Sequence, residues 1–108
     1  MIDWPRVTQL HDEVGAEDFG EVVEIFLEEV DEVIARVRAD TGRADLERNL
    51  HFLKGSALSL GFQEFSKLCQ DGERASAAGQ AETVDLDEII GNFHASRSEF
   101  QAGLTQHI

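Results

Sequence analysis

The chain has 108 residues, 22 of them acidic and 9 basic, for a formal net charge of −13. That balance excludes ordinary nucleic-acid binding and attraction to anionic membrane, and no apolar run is long enough to span a bilayer. A single cysteine, Cys69, rules out an internal disulfide and fits a cytoplasmic setting.

The length suits one domain over residues 1–108 with one modest core. Alanine, leucine and glutamate are abundant, tyrosine is absent, and the only proline is Pro5, so helix is favoured throughout. Asp3 is placed to cap a short first helix with Pro5 in its opening turn. Trp4, Val7, Leu10 and Val14 would face inward and Gly15 would end it. A second helix is predicted from about Ala16 to Ala39, with Val22, Phe26, Val30, Val33 and Val37 as its stripe and Val23 and Ile34 beside it. Ten acidic residues and no lysine or arginine lie between Asp12 and Glu32, which reads as a solvated acidic face. Thr41-Gly42 marks a turn.

The third helix is predicted from about Arg43 to Leu60, anchored by Leu46, Leu50, Leu53, Ala57 and Leu60. At about 100° per residue, His51 falls roughly 140° from the centre of that stripe, Leu58 roughly 120°, Lys54 roughly 80° and Gly55 roughly 180°. Gly61 ends or bends the helix. A fourth helix follows from about Phe62 to Ala78, burying Phe62, Phe65, Leu68, Cys69 and Gly72. The last begins after Asp85 and buries Leu86, Ile89, Ile90, Phe93, Phe100 and Leu104, with Arg97 unexplained on the same stripe. Four long amphipathic helices with short connections predict an all-α protein, an antiparallel up-down four-helix bundle with a short additional N-terminal helix.

Residues 51–61, HFLKGSALSLG, carry the chemistry. Positions i, i+3 and i+4 share a helix face, so His51, Lys54 and Gly55 form one patch. An exposed neutral imidazole is a nucleophile, a lysine offers charge to phosphoryl oxygens, and glycine clears space for an approaching partner. Glycine within a helix costs on the order of 1 kcal/mol against alanine, so its place on the outer face calls for a reason. Arg48 adds positive charge nearby. Leu58, Leu10 and Phe19 are candidates for an apolar docking patch. Ser56 and Cys69 read as packing residues, and His11, His94 and His107 fall in no motif.

HFLKGSALSLGFQEFSKLCQDGE, residues 51–73, resembles the signature of the histidine-containing phosphotransfer (HPt) family through His51, Leu53, Lys54, Gly55, Ser56, Leu60, Gly61, Cys69 and Glu73. Gly72 departs from the pattern, which usually has a bulky aliphatic residue there, and so predicts looser packing beside Glu73. The resemblance implies that His51 Nε2 carries the phosphoryl group and that Glu73 holds the imidazole through Nδ1. It implies exchange with an aspartate on a response-regulator receiver domain, fed by a hybrid or other histidine kinase. It also implies a phosphoryl carrier without autonomous catalytic activity. No cofactor or metal of its own is expected, Mg²⁺ being supplied by the receiver. The expected state is a cytoplasmic monomer that binds neither nucleic acid nor membrane. Three other readings compete. A kinase dimerisation helix typically has an acidic residue directly after its histidine, where this chain has Phe52. A di-metal bundle needs Glu-x-x-His pairs, and the residues three before the four histidines are Thr8, Arg48, Gly91 and Leu104. A non-phosphorylated helical adaptor would have no need of the His51–Lys54–Gly55 patch.

Overall fold

The computed structural model describes residues 1–108 as five α-helices and one short 3₁₀ turn: α1 Trp4–Val14, α2 Phe19–Ala39, α3 Leu46–Leu60, α4 Gln63–Ala77, the turn Ala81–Thr83, and α5 Leu86–His107. The bundle measures 42 × 20 × 20 Å, and no helix is long and apolar enough to cross a membrane.

α1 and α5 are capped by their own sequence, and α3 is ended by it. The Asp3 side chain accepts from the Arg6 N–H at 3.3 Å, and Asp85 accepts from the Glu88 N–H at 3.1 Å, so both satisfy donors that a first turn leaves open. Gly61 ends α3 in the left-handed conformation at φ 79°, and a β-carbon there would lie 2.8 Å from the Asp3 carbonyl oxygen. Glycine at this position lets the N-terminal segment cross the α3–α4 corner, where the Asp3 N–H donates to the Gly61 carbonyl at 2.7 Å and Ile2 pairs with Phe62.

One cluster of 23 buried apolar residues fills the bundle. Leu46, Leu50, Leu53, Ala57 and Leu60 are all buried, as the α3 stripe predicts. The aromatic centre consists of Phe62, Phe65, Phe93 and Phe100, with Phe62 edge-on to Phe100 at 5.5 Å. Burying each such side chain contributes about 1.5–3 kcal/mol. α1 lies over one end, where Trp4 stacks on His107 at 3.9 Å and fills the space left by Gly103.

Several expectations are corrected. α2 starts at Phe19, because residues 16–18 form a turn, and its buried line runs through Phe19, Val23 and Leu27 while Val22 and Phe26 are only half-buried. α3 starts at Leu46, because Arg43 takes a positive φ of 56° that no helix accommodates. Leu68, Leu86 and Leu104 are half-buried. Arg97 turns out of the core to pair with Asp31 of α2 at 3.2 Å.

Candidate functional site

The apolar stripe of α3 determines which side chains are left outside. With Leu50 and Leu53 fully buried, His51 is turned outward and its side chain is 68% exposed. α4 runs antiparallel beside α3 and brings Glu73 level with His51. The imidazole Nδ1 lies 2.8 Å from Glu73 Oε2. An ionised carboxylate can only accept, so Nδ1 is the donor in this contact, and in the neutral ring the lone pair is then on Nε2.

The other carboxylate oxygen has a different partner. Lys54 Nζ lies 2.8 Å from Glu73 Oε1, joining His51, Glu73 and Lys54 in one chain of contacts. Oε1 is shielded from solvent, so the Lys54 ammonium is the group that compensates it. Lys54 and His51 both favour the charged form of Glu73, Lys54 most strongly. Together they outweigh its partial burial and hold the carboxyl below the usual carboxylate range.

The surroundings of His51 are open. A β-carbon on Gly55 would meet nothing within 4 Å, so only glycine's bareness keeps this ground clear. Leu58 lies exposed on the same face, two turns beyond His51. Phe52 is also exposed, an apolar contribution absent from the predicted docking residues. Arg48 is also exposed, but its guanidinium is engaged by Asp45 at 2.8 Å, which offsets its charge. Leu10 and Phe19, the other two docking candidates, are buried in the core and cannot serve, since their stripes point inward. Nowhere do three or more His, Cys, Asp or Glu side chains gather so as to hold a metal ion.

Gly72 also requires a correction. The expected loosening does not occur, because Leu50, Val84 and Ile89 converge on its bare backbone, and a β-carbon would lie 2.7 Å from Leu50 Cδ1. Neighbouring side chains fill the place of the missing one. Cys69 is fully buried one turn before Glu73, and burial, with a contribution from the Glu73 charge, pushes its thiol up to about 12. It is a packing residue.

The family model described as Hpt domain matches residues 21–106. No curated protein and no solved structure matches the chain at a significant level.

Proposed function

This chain belongs to the Hpt domain family, and from that premise we propose that it carries a phosphoryl group on Nε2 of His51 and exchanges it with an aspartate of a response-regulator receiver domain. The family is one of histidine phosphotransfer in two-component signalling, and its members are carriers rather than catalysts. The observation that carries the reading is the 2.8 Å contact between Nδ1 and Glu73, because a carboxylate there favours a proton on Nδ1 and supports Nε2 as the nucleophile.

In the transfer, the Nε2 lone pair attacks the phosphorus of a receiver's phosphoaspartate. The N–P bond forms, the acyl oxygen–phosphorus bond breaks, and its electron pair returns to the aspartate carboxylate. The imidazole gains positive character while Nδ1–H stays bonded to Glu73, whose negative charge favours that ring charge. A lysine ammonium has three donors, so Lys54 can hold Glu73 Oε1 and still offer a hydrogen to a phosphoryl oxygen. Both linkages are high-energy, so the reaction runs in either direction. Mg²⁺ belongs to the receiver in this scheme, and the chain itself needs no cofactor.

Gly55, Leu58 and Phe52 form the ground on which a receiver would settle, with Arg48 at its edge. The whole chain acts as one cytoplasmic, monomeric domain, loaded by a receiver or directly by a histidine kinase. The test is incubation with each phosphorylated receiver of the same genome, following label onto the chain. The parent protein accepts phosphate, whereas His51→Gln folds normally and accepts none. Label retained on His51→Gln would overturn the assignment. Receiver binding by the parent without any transfer would identify it instead as a helical adaptor.

A further inference from the structure

The contact between His51 and Glu73 spans two helices, so its length depends on how closely α3 and α4 approach at that level. The residues immediately before the pair in each helix are Leu50 and Gly72, and these two meet. An added β-carbon on Gly72 would lie 2.7 Å from Leu50 Cδ1, 3.2 Å from Val84 Cγ1 and 3.4 Å from Ile89 Cδ1. Leu50 is wholly buried, so its methyl has no cavity to retreat into, whereas Val84 and Ile89 border a surface cavity of about 210 Å³ beside Gly72; the tightest contact, to Leu50, is therefore the one that sets the spacing.

Val84 is itself held in place. It follows the 3₁₀ turn in the connection between α4 and α5, a stretch with little regular structure to fix it. Arg43, from the connection between α2 and α3, reaches across and donates through Nη1 to the carbonyls of Ala81 at 2.7 Å and Val84 at 2.9 Å. Its backbone adopts φ 56°, a conformation that non-glycine residues rarely take and that persists only where the surroundings enforce it. One guanidinium therefore fastens together the two connections at the end of the bundle nearest His51 and Glu73.

We propose that Arg43, Val84 and Gly72 form a spacer that sets the α3–α4 separation beneath the site, so that Arg43 and Gly72 are positioning residues for the bond between Glu73 and His51. Arg43 holds the Val84 segment in place, Val84 and Leu50 meet at the bare Gly72, and the next residue on each helix is a partner in the bond. The inference rests on the phosphotransfer reading for its functional meaning, but not for its geometry.

The test reads the ring directly. Long-range ¹⁵N–¹H spectra of His51 report the proportion of Nδ1–H tautomer, with Glu73→Ala giving the value for an unheld ring. Phosphorylation by phosphoramidate, a small donor that needs no receiver, gives the rate. Gly72→Ala should move the tautomer signal towards the Glu73→Ala value and slow phosphorylation by about tenfold, the scale of one loosened charge-assisted bond. Gly72→Ala combined with Leu50→Val, which removes the nearest obstructing carbon, should return both readings towards the parent. Arg43→Gly accepts the positive φ while deleting the guanidinium, and should shift the tautomer in the same direction by a smaller amount. Parent-like tautomer signals in folded Gly72→Ala and Arg43→Gly would overturn the spacer. If Gly72→Ala does not fold, Arg43→Gly decides alone. A parent protein that takes no phosphate from phosphoramidate or any receiver would defeat the phosphotransfer reading, while the tautomer signals would still decide the spacer.

Discussion

Replacing Lys54 by methionine removes the ammonium and keeps a stem of similar length, so the half-buried packing of the side chain survives while the ion pair does not. Glu73 Oε1 is then left shielded from solvent with no cation within reach. An unsatisfied buried acceptor costs about 1–3 kcal/mol, and rupture of a deeply buried ion pair costs more. The Lys54 and Glu73 side chains keep 24% and 19% of their surface exposed. Water entering at that edge holds the cost near the low end, about 1–2 kcal/mol, or roughly 5–10 °C in Tm for a domain of this size. Phosphotransfer should fall by about one to two decades through loss of a charge-assisted contact to the phosphoryl group. Lys54→Met with Glu73→Gln separates the two effects. The neutral amide no longer needs the ammonium and can still accept from Nδ1–H, so thermal stability should largely recover. The transfer rate should not, because the phosphoryl oxygens still lack their donor. Thermal melts and single-turnover transfer on the parent, Lys54→Met, Glu73→Gln and the double variant supply the cycle. An unchanged Tm in Lys54→Met would mean the ion pair contributes nothing. Recovery of transfer in the double variant would mean that Lys54 acts only by holding Glu73, and the phosphoryl contact would be refuted.

Gly55→Gln should block transfer from receivers yet raise stability by up to about 1 kcal/mol, since its side chain enters open space and glutamine is the better helix former; a pull-down with labelled receiver and a urea titration check both. Leu58→Glu should weaken receiver binding more than Lys67→Glu on α4, and equal affinities in a titration would place the docking face elsewhere. Glu73 is held below the ordinary carboxylate range by Lys54 and His51, so its contribution to stability is complete above its unfolded pKa and is lost as pH falls through the lowered folded value. Denaturant unfolding at stepped pH should therefore show the parent's advantage over Lys54→Met shrinking on acidification; a difference independent of pH would contradict the pairing. With its thiol at about 12 and no exposed surface, Cys69 should resist a disulfide-exchange reagent at pH 8 until the protein unfolds, and rapid labelling of the native protein would show the core to be open.

The parts of the fold that depend on period were legible in the sequence. The α3 stripe from Leu46 to Leu60 and the outward turn of His51 follow from 100° steps, and Asp3, Asp85 and Gly61 announce helix ends by their own chemistry. The features that went unread are those that join distant parts of the chain. α2 has apolar residues at 22, 23, 26 and 27, so its period alone fits two neighbouring faces, and the face that joins the buried core is the one carrying Val23 and Leu27. Arg43 looked like the first residue of a helix because nothing local reveals that its guanidinium has carbonyl partners some forty positions later. Gly72 looked like a hole because the three side chains that fill it come from α3, α5 and the loop between α4 and α5. In the site, the motif supplied His51, Lys54, Gly55 and Glu73 as candidates. That Lys54 and His51 share one carboxylate depends on the facing register of α3 and α4, which helical period does not encode.

The stack at the far end of the bundle determines what light can report about this protein. Trp4 is the sole tryptophan and there is no tyrosine, so ultraviolet emission comes from one indole. That indole lies face to face with the imidazole of His107, 3.9 Å away, beside the corner at Gly61. Ten residues of helix, roughly 15 Å, separate that corner from His51. Emission therefore follows the joining of α1 to the end of α5 and is insensitive to events on the imidazole of His51. A fluorescence trace that changes before the loss of far-ultraviolet ellipticity would record this seam opening on its own, whereas the arrival of a phosphoryl group has to be followed by a probe placed at the other end.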